Sequence, residues 1–81
     1  MNKFARYKEF DKVKLKQDRP KVQEPAFTQL KEPRAVRVTD PGVVMLVYDV
    51  PDPGYEVEFF NEEGETLDVI TLQEDEIELR E

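Results

Sequence analysis

Tyr55-Glu56-Val57-Glu58-Phe59 alternates apolar and acidic side chains without a break. Successive side chains of an extended strand point to opposite faces, so this segment has one face to bury and one to wet. The same period recurs across Phe10–Lys16, where Val13 and Leu15 alternate with Lys12, Lys14 and Lys16. It returns in Ala35-Val36-Arg37-Val38 within Arg34–Thr39, and in Thr66–Leu72. Asn61-Glu62-Glu63-Gly64 joins the last of these to Tyr55–Phe59 as a hairpin turn, with glycine at its left-handed position. Val43–Tyr48 is six β-formers without a polar interruption, which reads as a central strand or one whose outer face is covered. Gln73–Glu76 has room for one 3₁₀ turn, and Ile77-Glu78-Leu79 for a short final strand. This spacing predicts an all-β chain, a small five-stranded SH3-like antiparallel barrel with a long first loop. Closure would remove its edges. The predicted core is Val13, Leu15, Val44, Leu46, Val57, Phe59, Leu67, Val69 and Ile77.

Punctuation between the strands is strong. Gln17–Pro33 holds Pro20, Pro25 and Pro33 and few large apolar residues. Proline withholds a backbone donor and keeps its predecessor extended, so this stretch reads as a long loop and the most mobile internal segment. Phe27 and Leu30 are the side chains able to pin it to the barrel. Asp40-Pro41-Gly42 reads as a turn in which glycine supplies a positive φ, and Asp49–Gly54 as a loop with two prolines. Residues 1–9 carry no clear pattern. Phe4, Tyr7 and Phe10 are spaced by three, which suits a helical turn or a strand entry.

Eighty-one residues make a single domain, 1–81, with the barrel at 10–79. A chain of this size buries only about 60% of its unfolded surface, so its core is small. There is no cysteine, histidine, serine or tryptophan. Disulfides, thiolate zinc and the usual general base are therefore missing. Thr28, Thr39, Thr66 and Thr71 have no histidine to activate them, which excludes triad chemistry. No cofactor, metal site or enzymatic activity is expected. No apolar run approaches the roughly 20 residues of a membrane span, and the N-terminus lacks a signal-peptide core. The expectation is a cytoplasmic protein.

Charge divides the chain. From Val38 to Leu79 there are thirteen acidic residues and no basic one, whereas residues 1–37 hold eleven basic side chains and five acidic ones. The net charge is −7. Glu62-Glu63-Gly64-Glu65 and Glu74-Asp75-Glu76 lack the alternating ligand spacing of a calcium loop, so they read as a solvated acidic surface. Lys12, Lys14 and Lys16 share a strand face, and Arg34 and Arg37 lie beyond the loop. These five cations could follow a phosphate backbone. The simpler reading is that the front's cations pair with the chain's own acidic strands. Tyr48 and Tyr55 flank the 49–54 loop, where aromatics can form a peptide platform, although structural packing is the favoured reading for each and Tyr55 reads as core.

Val43–Asp49, Tyr55-Glu56-Val57-Glu58-Phe59-Phe60, Gly64-Glu65-Thr66-Leu67 and Val69-Ile70-Thr71-Leu72, with Phe10–Lys16, resemble a family of small bacterial proteins catalogued as domain of unknown function 4926. The likeness spans roughly residues 7–79. The chain departs from the family's compact Leu-Lys-x-Gly-Asp-x-Gly turn, of which Asp40-Pro41-Gly42 keeps only the last glycine. The resemblance implies an SH3-like barrel, no catalytic residue, and a frequent gene neighbourhood of candidate toxin genes. Charge and resemblance together point to a non-catalytic antitoxin-like or immunity-like binder. Glu56, Glu58, Glu62, Glu63, Glu65 and Asp68 would meet a basic toxin or nuclease-like enzyme. The alternatives are a nucleic-acid-associated barrel acting through Lys12, Lys14, Lys16, Arg34 and Arg37, or an accessory subunit of a larger enzyme. Nucleic acid is the disfavoured partner, and no membrane partner is expected.

Overall fold

Three of the four alternating segments pair as β-strands in a computed structural model, which describes residues 5–19, 25, 27–48 and 53–80. The strands are β1 (Lys12–Leu15), β2 (Gly42–Tyr48), β3 (Gly54–Phe60), β4 (Thr66–Gln73) and β5 (Ile77–Leu79). A 3₁₀ turn, Glu74–Glu76, separates the last two. All pairings are antiparallel in one sheet of order β4-β3-β2-β1-β5. The fold is thus all-β with five strands, as predicted. Its edge strands β4 and β5 do not pair, so the sheet is barrel-like and open rather than closed.

Buried side chains from all five strands meet in one core: Val13, Leu15, Val44, Tyr55, Val57, Phe59, Leu67, Ile70, Leu72 and Ile77, joined by Tyr7 and Val36. Seven of the nine predicted core residues are among them. Leu46 and Val69 are not, and one mechanism explains both. The β2–β3 register slips between Val44 and Leu46, leaving Met45 as an extra residue. A second irregularity lets Phe59 face Asp68 and Phe60 face Thr66, with Leu67 unpaired. A bulge adds one residue to a period of two, so every later side chain changes face. Leu46 therefore turns outward and Val47 inward. Ile70 and Leu72 enter the core in place of Val69.

Arg34–Thr39 forms no strand, although Val36 is buried and its carbonyl accepts the Arg19 N–H at 3.2 Å. Gly42 lies inside β2 and has no positive φ. Its lack of a side chain serves close packing instead, because a Cβ there would sit 2.7 Å from the Phe59 ring. Gly64 does take the left-handed conformation, at φ 82°. Residues 27–30 run along the free edge of β4. The Gln29 N–H reaches the Thr66 carbonyl at 2.8 Å, and the Thr66 N–H returns to Gln29 Oε1 at 2.7 Å. Leu30 packs against the core, while the Phe27 ring is exposed. The loop is pinned here by backbone groups, by the polar side chains of Thr28, Gln29 and Asp68, and by Leu30. Residues 20–24 and 26 of the stretch expected to be mobile lie outside the described residues.

The N-terminal segment supplies a further brace. Tyr7 is buried, and its ring meets Tyr55 edge-on with centroids 5.4 Å apart. The N–H groups of Arg6 and Tyr7 donate to the Tyr55 hydroxyl at 3.0 and 3.2 Å, and that hydroxyl donates to Glu74 Oε2 at 2.7 Å. The Tyr7 hydroxyl donates to the Ile77 carbonyl of β5 at 3.2 Å. Of the three aromatics spaced by three, Tyr7 is core and Phe10 is exposed with φ 71°, while Phe4 lies outside the described residues.

Candidate interaction face

The outward positions of the sheet can be read from its register. Lys12, Val43, Glu58 and Val69 lie side by side across β1, β2, β3 and β4. The next row is Leu46, Glu56 and Thr71, and the last is Tyr48, Gly54 and Gln73. Met45, Leu46 and Tyr48 are 40%, 45% and 44% exposed. β2 is the middle strand of the sheet, which is one of the two expectations for Val43–Tyr48, and its outer face is uncovered, against the other. Sequence alone concealed this, because an apolar run hides the bulge that splits it between two faces.

The six predicted acidic residues fall into separate settings. Glu56 and Glu58 share the outer face of β3. Glu58 accepts the Thr66 hydroxyl at 2.6 Å. Local desolvation and the nearby Glu56 carboxylate push the Tyr48 hydroxyl above its ordinary pKa. Glu62, Glu63 and Glu65 form the β3–β4 turn, which Asn61 organises. Its Oδ1 takes the N–H groups of Glu63 and Glu65 at 3.0 and 2.8 Å, and its Nδ2 donates to Glu65 Oε1. Asp68 stands apart. Its carboxylate accepts the N–H of Phe27 at 3.1 Å and of Val69 at 2.8 Å, so it anchors the long loop.

Nor do the five cations form one tract. Lys14 pairs with Glu78 at 3.7 Å across β1–β5. Arg34 makes a two-pronged bond to buried Asp40, at 2.8 and 2.9 Å. Lys16 and Arg37 are exposed, and Lys12 lies in the row of Glu58. Burial alone would raise the Asp40 carboxyl. Its bonds to Arg34 and the Arg37 N–H, with both arginine charges, outweigh that and hold it below the usual carboxylate range. The same bond keeps Arg34 more firmly protonated. Arg34, Arg37, Asp40, Asn61, Glu62 and Glu63 border a cleft of about 370 Å³ in which both signs of charge face each other.

Among the described residues no three carboxylates converge on a possible metal position, and no helix is long and apolar enough to cross a membrane. Residues 9–79 match the family described as domain of unknown function (DUF4926), and the chain belongs to that family. No curated protein and no solved structure matches the chain.

Proposed function

We propose that the chain is a non-catalytic protein-interaction module, antitoxin-like or immunity-like. On this reading it works in the cytoplasm and presents its acidic face to a basic partner enzyme. One observation carries the reading. The ion pairs among the described residues are Lys14–Glu78 and Arg34–Asp40, and neither uses a carboxylate of β3 or of the β3–β4 turn. Among the described residues no cation pairs with Glu56, Glu58, Glu62 or Glu63, which lie beside the exposed apolar surface of β2. Aromatic and aliphatic contact area within a charged rim is the usual composition of a protein-binding patch. The same two ion pairs engage two of the five cations that a phosphate-tracking surface would use.

Reversing Glu56 and Glu58 to lysine tests the proposal. After affinity capture of a stoichiometric partner, association with the double variant should be slower by about tenfold at low salt and nearly unchanged at high salt, because steering is screened over a Debye length of about 8–10 Å. Glu58 also holds the Thr66 hydroxyl, so the double variant loses about 1 kcal/mol of stability. Glu56→Lys alone controls for that loss. An unchanged association rate, or tight binding of duplex DNA by the parent at physiological salt, overturns the proposal.

A further inference from the structure

The three glycines have three different settings, and one of them the fold does not require. Gly42 is demanded by the Phe59 ring, and Gly64 by its positive φ. Gly54 has neither reason. It starts β3 without a positive φ, and an added Cβ would meet only ordinary contacts, 3.8 Å from the Leu72 carbonyl and 3.9 Å from the Tyr48 ring. Glycine weakens a strand, and inside one it often marks a place where another group approaches closely.

Register shows what its missing side chain leaves. Gly54 lies between Tyr48 and Gln73 in one outward row, and the neighbouring row brings Glu56 next to Thr71. The result is a groove of about 480 Å³ bordered by Tyr48, Pro53, Gly54, Thr71, Gln73 and Glu76. That volume falls in the range of about 300–1,000 Å³ typical of small-ligand sites. One wall is already held, because Glu76 Oε1 accepts the Gln73 N–H at 2.9 Å as part of a capping box. Among the described residues that border it, none is basic.

We propose that this groove receives an arginine side chain from the protein partner. The inference rests on the interaction-module reading and deepens it, by naming the group that the face captures. Charge and shape select arginine. A guanidinium is planar, stacks on an aromatic face and remains charged, and its fork of donors suits carboxylates. Here its plane lies on the Tyr48 ring above Gly54 and its donors meet Glu76 in the groove, while Glu56 in the neighbouring row adds negative charge. Any side chain at position 54 would occupy that place.

Amide NMR titration of the full chain with acetylated, amidated tetra-arginine tests this, with tetra-citrulline as the uncharged isostere. Tetra-arginine should give saturable shifts centred on Tyr48, Gly54, Thr71 and Gln73, and tetra-citrulline should not. Gly54→Val should abolish the saturable response. Glu76→Gln keeps the capping acceptor and removes the charge, so it should weaken binding roughly three- to fivefold. If Gly54→Val fails to fold, Gly54→Ala with Glu76→Gln carries the test, because the methyl group is accommodated without strain. Shifts centred instead on Glu62, Glu63 and Glu65 and indifferent to position 54 overturn the groove and leave the acidic-face reading standing. Equal response to citrulline, or no response, also overturns it. The acidic-face reading itself falls on a different result, an unchanged association rate on charge reversal.

Discussion

Asp40 shows how one side chain can organise a turn that has no regular structure. It is 7% exposed, and its two oxygens collect the Arg34 fork and the Arg37 N–H. Its carboxyl is held below its ordinary pKa in the folded chain. The stability it contributes is therefore complete above the unfolded carboxylate range, near pH 4, and is lost as pH falls through the lower folded value. Urea midpoints measured from neutral pH downward should decline on acidification. Asp40→Asn should be less stable at neutral pH and should show a shallower acid decline. Gly42 supports a second expectation at this scale. Gly42→Ala drives a methyl group against Phe59 and Val57, 2.7 and 2.9 Å from their carbons, and should cost about 1–3 kcal/mol in denaturant unfolding. Gly54→Ala should change stability by less than about 1 kcal/mol, since it meets no such clash.

At the scale of the strand, the bulges decide which residues serve the core. β2 buries Val44, then skips Met45, and presents Leu46 and Tyr48 to the outside. Leu46→Gln should therefore shift stability by no more than about 0.5 kcal/mol, the ordinary range for surface changes. Val44→Ala, at a position with no exposure, should cost about 2 kcal/mol through lost burial and a cavity. Thermal melts of the two variants distinguish this face assignment from regular alternation, under which Leu46 would be the damaging site. β4 manages its free edge by a different device. Gln29 and Asp68 tie residues 27–30 alongside it, which occupies backbone groups that would otherwise invite another strand.

For the whole molecule, the question is what holds an open five-stranded sheet around a small core. Part of the answer lies in the N-terminal segment, where Tyr7 bonds through its N–H to Tyr55 of β3 and through its hydroxyl to Ile77 of β5. Tyr7→Ala should lower stability by about 3 kcal/mol, and Tyr7→Phe by about 1 kcal/mol, because the phenylalanine keeps the packing and loses only the hydroxyl bond. Chemical denaturation of both variants separates the two contributions. The charge asymmetry also belongs to this scale. It sets the potential at the surface, and among the described residues only Lys14 and Arg34 form ion pairs, with Glu78 and Asp40. Local chemistry in the sequence determined the strands, the hairpin turn with Gly64, the 3₁₀ turn and the sign of the C-terminal surface, since period, turn residues and charge act between near neighbours. Only the tertiary structure decided where the bulges fall, that Leu46 faces water and Ile70 the core, that Asp68 serves the loop, and that Tyr7 braces β3 to β5. Those outcomes depend on register between strands and on contacts such as Tyr7 with Ile77, 70 residues apart, which no local pattern encodes.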